Sequence, residues 1–268
     1  MAPDIYTHGH QESVLRSHRW RTAENSAGYL LPHLHPGQRL LDVGCGPGTL
    51  TVDLAQRVEP GSVVGVDISE AVVDEAAAYS GERGARNVSF LAGDFRTVLP
   101  ERRAFDVVHA HQVLQHLADP VGALTAMAAL ARPGGIVAVR DSDYPAFTWA
   151  PANEHLERWR QLYLRVARRN NAEPDAGRWL LRWAHAAGLD DVAYGSSTWT
   201  FSTVGERAWW AGLWAERCLA SSFAQQAVTY GFATAEDLES LAAGWRRWAG
   251  EPDGVFIVVH GELLARIH

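Results

Sequence analysis

Three glycines at alternating positions, Gly44, Gly46 and Gly48, follow the apolar run Leu40-Leu41-Asp42-Val43. Glycine permits a tight turn and lets a ligand approach the main chain with no Cβ in the way. A helical pattern begins at Thr49, and the first turn of a helix carries unpaired N–H groups. A buried strand, a glycine loop and a helix, in that order, suit a nucleotide-like ligand at the carboxyl ends of parallel strands. A second apolar run, Val63-Val64-Gly65-Val66, ends on Asp67. A carboxylate there can accept hydrogen bonds from both hydroxyls of a ribose, each charged bond contributing about 1.5–3 kcal/mol.

The elements around these residues read as alternating strands and helices. Residues 1–36 form one or two helices, over Glu12–Arg21 and Asn25–Leu34, stopped by Pro36-Gly37,. Strands are expected over Leu40–Val43, Ser62–Val66, Val88–Leu91, Phe105–His109 and Ile136–Arg140. Helices over Thr49–Arg57, Glu70–Ser80 and Val121–Leu130 lie between them, and Arg132-Pro133-Gly134-Gly135 makes a turn. Further on, helices over Asn153–Arg169, Asp175–Ala187, Glu206–Tyr230 and Ala235–Ala249 surround a strand over Asp191–Phe201, and Gly254–Ile267 is a final strand. Short β-branched strands alternating with helices imply βαβ units and a buried parallel sheet.

Composition narrows the class. A chain of 268 residues can bury a full core,. The formal net charge is −7, and all the basic side chains are arginines scattered among acids. A nucleic-acid-binding domain carries a basic face, so no nucleic-acid partner is expected. The longest apolar runs, such as Val255–His260, are too short to span a bilayer,, so no membrane partner is expected either. Met1-Ala2-Pro3-Asp4 opens no signal-peptide pattern,. Of the two cysteines, Cys45 sits inside the glycine loop, where pairing would be awkward. A reduced, cytoplasmic protein, monomer or homodimer, is the expectation. Ten of the eleven tryptophans fall between Trp149 and Trp248, so the second half carries the aromatic mass.

Two cofactor classes compete for the glycine loop. A dinucleotide fingerprint places a third glycine where this chain has Thr49, and Pro47 removes an N–H that a pyrophosphate could use,. The run Asp42-Val43-Gly44-Cys45-Gly46-Pro47-Gly48 instead resembles motif I of class I methyltransferases that use S-adenosylmethionine. Four more segments match that family in order. They are Val63–Ser69 with Asp67, Leu91–Phe95 with Asp94, Phe105–Leu117, and Leu130-Ala131-Arg132-Pro133-Gly134-Gly135-Ile136. The chain looks most like the ubiquinone/menaquinone-biosynthesis-type enzymes found in bacterial natural-product pathways. The resemblance implies an α/β, Rossmann-like, seven-stranded, mostly parallel sheet with helices on both faces, an N-terminal helical cap and helical lid insertions. It divides the chain into a cap over 1–36, a cofactor-binding core over 37–145, and a Trp-rich lid with the last two strands over 146–268.

The same resemblance assigns roles. Gly44, Cys45 and Gly46 would let the methionine part of the cofactor lie along the main chain, with the backbone at His111 contacting its amino group. Gln112 and Val113 would extend that wall. Ile68 would lie against the adenine, Asp94 would bond the adenine amino group, and Phe95 would flank the ring. Tyr6, His10, His18 and Arg21 are the polar candidates of the cap, with Arg21 pairing the cofactor carboxylate; each equally suits a solvated helix face. Methyl transfer from a sulfonium needs alignment more than activation, and a base is required only if the acceptor must lose a proton. His116 and Tyr144 are the preferred bases, with His10 behind them. His109, His111 and His116 offer no clear metal ligand set, so no metal is expected.

Asp141 follows the fifth strand, where substrate contacts are common. Trp149, Trp179, Trp210 and Trp214 are candidate walls for a flat acceptor; a tryptophan stripe such as Trp210 and Trp214 more often serves as core. The expected acceptor is a small, apolar or aromatic metabolite, an indole derivative among the options. Two other functions stay open at this point: an NAD(P)-dependent oxidoreductase, which the missing Tyr-x-x-x-Lys pair disfavours, and a non-catalytic protein that binds the same cofactor.

Overall fold

The computed structural model describes residues 6–9, 11–99 and 102–268. Five parallel strands, β1 (Arg39–Val43), β2 (Ser62–Asp67), β3 (Val88–Ala92), β4 (Phe105–His111) and β5 (Ala131–Ser142), lie side by side in the order β3-β2-β1-β4-β5. The chain builds outward from β1 on one side, then returns to its other side with β4. Where the order reverses, between β1 and β4, the connections diverge and leave a crevice at the carboxyl ends of the strands.

Three antiparallel strands complete the sheet: β6 (Thr148–Ala150), β7 (Val192–Phe201) and β8 (Val255–Arg266). β8 pairs with β5 along one edge and with β7 along the other. β6 joins only Val255–Ile257 of β8, on the edge shared with β5. β5 and β6 therefore fill one edge end to end. The sheet has 8 strands but keeps the expected seven-strand width, with β6 as the unanticipated addition.

Helices α1 (Glu12–Arg19), α2 (Ala23–Ser26), α3 (Thr49–Val58), α4 (Glu70–Glu82), α5 (Phe95–Val98) and α6 (Pro120–Leu130) belong to the first half. The second half adds α7 (Glu154–Arg169), α8 (Ala176–Ala186), α9 (Val204–Ala220), α10 (Ser222–Thr229) and α11 (Ala235–Ala249). Period-two alternation sends Leu40, Val63, Val107 and Ala138 to one face of the sheet, against Leu50 and Leu54 of α3,. Leu41, Val66, Val108 and Val137 turn to the other face, against Leu124 and Met127 of α6 and Leu180 of α8.

Three local readings are corrected. The helix expected over Asn25–Leu34 is only α2, started by a Thr22–Asn25 capping box; Gly28 and Pro32 follow at once, and Leu31–His33 is a 3-10 turn,. The helix expected over Glu206–Tyr230 breaks at Ser221. Its buried hydroxyl donates to the Arg217 carbonyl and accepts from the Ala224 N–H, competing with the backbone ladder,. The turn at Arg132–Gly135 lies inside β5 as a bulge: pairing jumps from Phe105↔Ala131 to Val107↔Ile136, which takes Pro133 out of the ladder.

Most of the tryptophans of the second half, Trp179 and Trp183 excepted, belong to or pack against a separate hydrophobic core. Trp159, Trp214, Trp245 and Trp248 are buried around Phe256 of β8. The Trp159 ring meets Trp214 edge-on at 4.4 Å and Trp245 at 4.8 Å. Replacing a fully buried tryptophan by alanine removes its transfer free energy and leaves a cavity. Trp245→Ala is predicted to destabilise the fold by about 3–5 kcal/mol in urea denaturation. A loss below about 1 kcal/mol would show that this cluster is not the lid's main support.

Candidate active site

The loop after β1 is pinned across the end of β2. The N–H groups of Gly44 and Cys45 both donate to the Val66 carbonyl, at 2.7 and 3.1 Å. The Gly46 N–H donates to Asp67 Oδ2 at 3.1 Å, and the Ser69 N–H to Asp67 Oδ1 at 3.1 Å. Gly44 has φ 69°, and a Cβ there would lie 2.4 Å from Val113 Cγ2. Gly48 has φ 81°, and a Cβ there would come within 2.8 Å of Ala76 on α4. Beneath the loop, Asp42 accepts from Thr51 Oγ1 at 2.6 Å and pairs with His109 Nδ1 at 2.8 Å, all three buried. His109 is thus structural, a prop for the strand that begins the loop.

A cavity of about 850 Å³ opens beyond this loop. It lies near the upper end of the ~300–1,000 Å³ typical of small-molecule sites. Its two ends differ in chemistry. One end has Gly44, Gly46, Asp67, Ile68, Asp94 and Phe95. Ile68 is 72% exposed, an apolar side chain offered to a ligand face. Among the described residues Asp67 has no cationic partner, so its remaining lone pairs are available to hydroxyl donors. Asp94 is less available: it caps α5 through the Arg96 N–H and pairs with the Arg96 guanidinium, which holds its carboxyl below the usual range.

Arg21, between α1 and α2, also lines the cavity. Its Nη2 donates to Gln112 Oε1 at 2.5 Å, and its Nε is buried without a partner. Gln112 is a junction. It sits at φ 54° at the end of β4, and its Nε2 reaches Ser142 Oγ at 2.8 Å and His260 Nε2 at 2.9 Å. A non-glycine residue in that region is uncommon, and here it ties the cap to β5 and β8. These features fit S-adenosylmethionine: a carboxylate for the ribose, an apolar side chain for the adenine, and an unsatisfied guanidinium N–H for the amino-acid carboxylate.

The other end is an aromatic chamber. Tyr144 stacks on Tyr163 at 4.1 Å. His8 Nε2 faces both their hydroxyls, at 2.9 Å from Tyr163 and 3.2 Å from Tyr144. Tyr6 meets His116 edge-on at 4.7 Å. Trp210 and Trp214 of α9 wall the chamber, with Trp20, Trp199 and Trp209 over the cap side. Burial pushes the Tyr144 phenol up to about 12. Burial, aided by Arg21, pulls His116 down to about 3, and its Nε2 is engaged by Gln115. His116 therefore lines the chamber as a neutral, hydrogen-bonded ring.

Most candidates from the sequence converge on this one cavity: Tyr6, His18, Arg21, Gly44, Gly46, Asp67, Ile68, Asp94, Phe95, His111, Gln112, Val113, His116, Tyr144, Trp210 and Trp214. Four do not line it. Cys45 is buried behind the loop, its thiol pushed well up by burial. Asp141 is buried and accepts from the Gln115 N–H at 3.1 Å, so it fixes the 3-10 turn Leu114–His116. Trp149 stacks on Phe256 at 5.6 Å. Trp179 lies on α8 beside Arg182, 5.7 Å away. His10 lies outside the described residues. Sequence reasoning passed over His8, Trp20, Trp199, Trp209 and Arg217. Arg217 alone carried a local signal, three residues beyond Trp214 on the same helical stripe,.

Five imidazoles, His8, His18, His111, His116 and His260, are held below the ordinary histidine range, in each case chiefly by burial. Below about pH 6.5 the unfolded chain takes up protons there that the folded chain does not. Stability is therefore lost as pH falls below about 6.5. Asp141 and Glu173, each raised to about 7, and Asp53, also raised, act oppositely, all chiefly through burial, three groups against five. The melting temperature is predicted to drop steadily from pH 7 to pH 5, and the drop to shrink in His116→Gln. A flat or rising profile on acidification would contradict this assignment.

The family model described as a methyltransferase domain matches residues 34–188. An uncharacterised methyltransferase of Schizosaccharomyces pombe is 31% identical, over 97% of this chain and 95% of its own. The aklanonic acid methyltransferase DauC of a Streptomyces strain is 36% identical over a shorter stretch, 42% of this chain and 52% of that protein. The solved structure of Haemonchus contortus phosphoethanolamine N-methyltransferase 2 with S-adenosyl-L-methionine superposes with a TM-score of 0.58. That match is 14% identical and covers 96% of this chain and 58% of the other, a likeness of fold. With the five ordered motifs, the cavity at the strand-order reversal and these matches together, the chain belongs to the methyltransferase family.

Proposed function

We propose that this chain transfers a methyl group from S-adenosylmethionine to a small, apolar or aromatic metabolite by in-line displacement. The observation that carries the reading is a single cavity with two unlike ends, one suited to an adenosyl group and one walled by aromatic rings. When bound, S-adenosylmethionine supplies a methyl group on a cationic sulfur, and the protein's main task is alignment, worth roughly 7–11 kcal/mol in well-oriented systems.

The residues divide that task. Asp67 accepts the ribose hydroxyls, Ile68 and Phe95 bracket the adenine, and Asp94 shares its carboxylate between Arg96 and the adenine amino group. Arg21, steadied by Gln112, pairs with the cofactor carboxylate. Trp210 and Trp214 present flat faces to the acceptor and exclude water. Tyr144, its phenol kept protonated and its hydroxyl held near His8, orients the acceptor through a hydrogen bond. His116 shapes the wall as a neutral ring.

Among the described residues no helix is long and apolar enough to cross a membrane, and no cluster of metal-binding side chains is found. Net charge −7 speaks against a nucleic-acid acceptor,. We place the chain in the cytoplasm, as a monomer or homodimer acting on a metabolite. A relative named as an aklanonic acid methyltransferase supports a small organic acceptor; an indole derivative is a candidate because of the aromatic chamber.

Calorimetry tests the cofactor assignment. S-adenosylmethionine and S-adenosylhomocysteine are predicted to bind while NADH does not. Asp67→Ala is predicted to weaken S-adenosylhomocysteine by about 10- to 100-fold, the equivalent of about 1.5–3 kcal/mol. Tighter binding of NADH, or an Asp67→Ala variant with unchanged affinity, would overturn the assignment. A metabolite screen for the mass gain of one methyl group then identifies acceptors.

A further inference from the structure

Among the described residues, no carboxylate neutralises the buried Arg217 cation beside the acceptor chamber. Arg217 is 4% exposed and lines the cavity. Its Nη2 donates to the Ser13 carbonyl at 2.9 Å and to Ser17 Oγ at 2.6 Å, while its Nε is buried without an acceptor. Its guanidinium lies 5.0 Å from the Trp214 ring centre.

Two other deeply buried arginines, Arg140 and Arg207, do not line the cavity. Arg140 pairs with Glu262 at 3.1 Å. Arg207 donates to the Ala249 carbonyl, at the end of α11, and to the Ser202 carbonyl. Taking a guanidinium out of water costs free energy that neutral acceptors and an aromatic face offset only in part. Arg217, like Arg21, lines the cavity and has a buried Nε without an acceptor, and it is the one that lies on the tryptophan stripe of α9.

Its neighbours reinforce the point. Trp210, Trp214 and Arg217 fall at i, i+4 and i+7 on α9, one stripe of the helix, and all three line the cavity. The indole N–H groups of Trp210 and Trp214 are, like the Arg217 Nε–H, buried without an acceptor. Across the chamber the phenols of Tyr144 and Tyr163 are already turned to His8. The stripe therefore offers donors and one positive charge on an aromatic wall, and no acceptor of its own. A flat ring bearing a carboxylate complements it: the ring packs on tryptophan, and the planar oxyanion matches the planar guanidinium.

We propose that the acceptor is an aromatic carboxylate, its ring held between the tryptophans of α9 and its charge by Arg217. This deepens, and rests on, the methyltransferase reading above. It also accounts for a chamber of neutral imidazoles: an acceptor that arrives ionised calls for a counter-charge, not for a strong base at that group.

The test compares matched probes on the full chain saturated with S-adenosylhomocysteine. Indole-3-carboxylate and 1-naphthoate are each titrated against their primary amides by ligand-observed NMR, with wild type and Arg217→Gln. The expected result is that each acid binds at least about tenfold more tightly than its amide. That preference should vanish in Arg217→Gln, while S-adenosylhomocysteine affinity stays within about twofold of wild type. The wild-type comparison stands alone if the variant fails to fold. No acid preference in wild type, whether both probes bind or neither does, overturns the proposal. So does an acid preference that survives Arg217→Gln, or a variant that loses S-adenosylhomocysteine, which would place Arg217 on the cofactor. A wild-type chain that never binds S-adenosylhomocysteine would instead sink the methyltransferase reading on which the proposal rests.

Discussion

The site depends on one backbone constraint: the loop leaving β1 must cross the end of β2 closely enough for the Gly46 N–H to reach the Asp67 carboxylate. Left-handed conformations at Gly44 and Gly48 make that crossing possible, and the contact with Val113 leaves no room for a side chain at Gly44. Once the loop is pinned, the positions of Asp67, Ile68 and the end of β4 follow from strand register. The glycine-loop end of the cavity is thus set by main-chain geometry.

The aromatic end is built differently. It depends on side chains from distant parts of the chain meeting between cap and lid: His8 and Trp20 from the start, Tyr144 after β5, Tyr163 on α7, Trp214 and Arg217 on α9. Trp214 has two roles at once. One side packs in the lid core against Trp159 and Trp245, and the residue also walls the chamber. Gln112 joins the two ends, since it holds Arg21 of the cap while reaching Ser142 and His260. The end of β4 is therefore tied through Gln112 both to Arg21 and to β5 and β8.

The division between what could and could not be read from sequence follows the same line. The sheet was legible because buried parallel strands and their helices carry a local period, and the loop was legible because its glycines are required by φ. Most cofactor candidates consequently fall on one cavity. The acceptor wall was half legible. Trp210 and Trp214 carry a helical spacing, but Trp149 and Trp179 share only their residue type, and the structure stacks Trp149 on Phe256 and sets Trp179 on α8. His8 and Trp199 reach the chamber by long-range packing that leaves no periodic trace. Ser221 breaks a helix through one buried hydroxyl, a competition that residue propensity alone does not reveal.

The most direct test of the central claim is a crystal structure of the chain with S-adenosylhomocysteine. The account predicts both ribose hydroxyls within hydrogen-bond distance of the Asp67 carboxylate and the sulfur opening onto the chamber bounded by Tyr144 and Trp214. A nucleoside bound elsewhere, or a sulfur turned toward bulk solvent with the aromatic chamber sealed behind it, would contradict it.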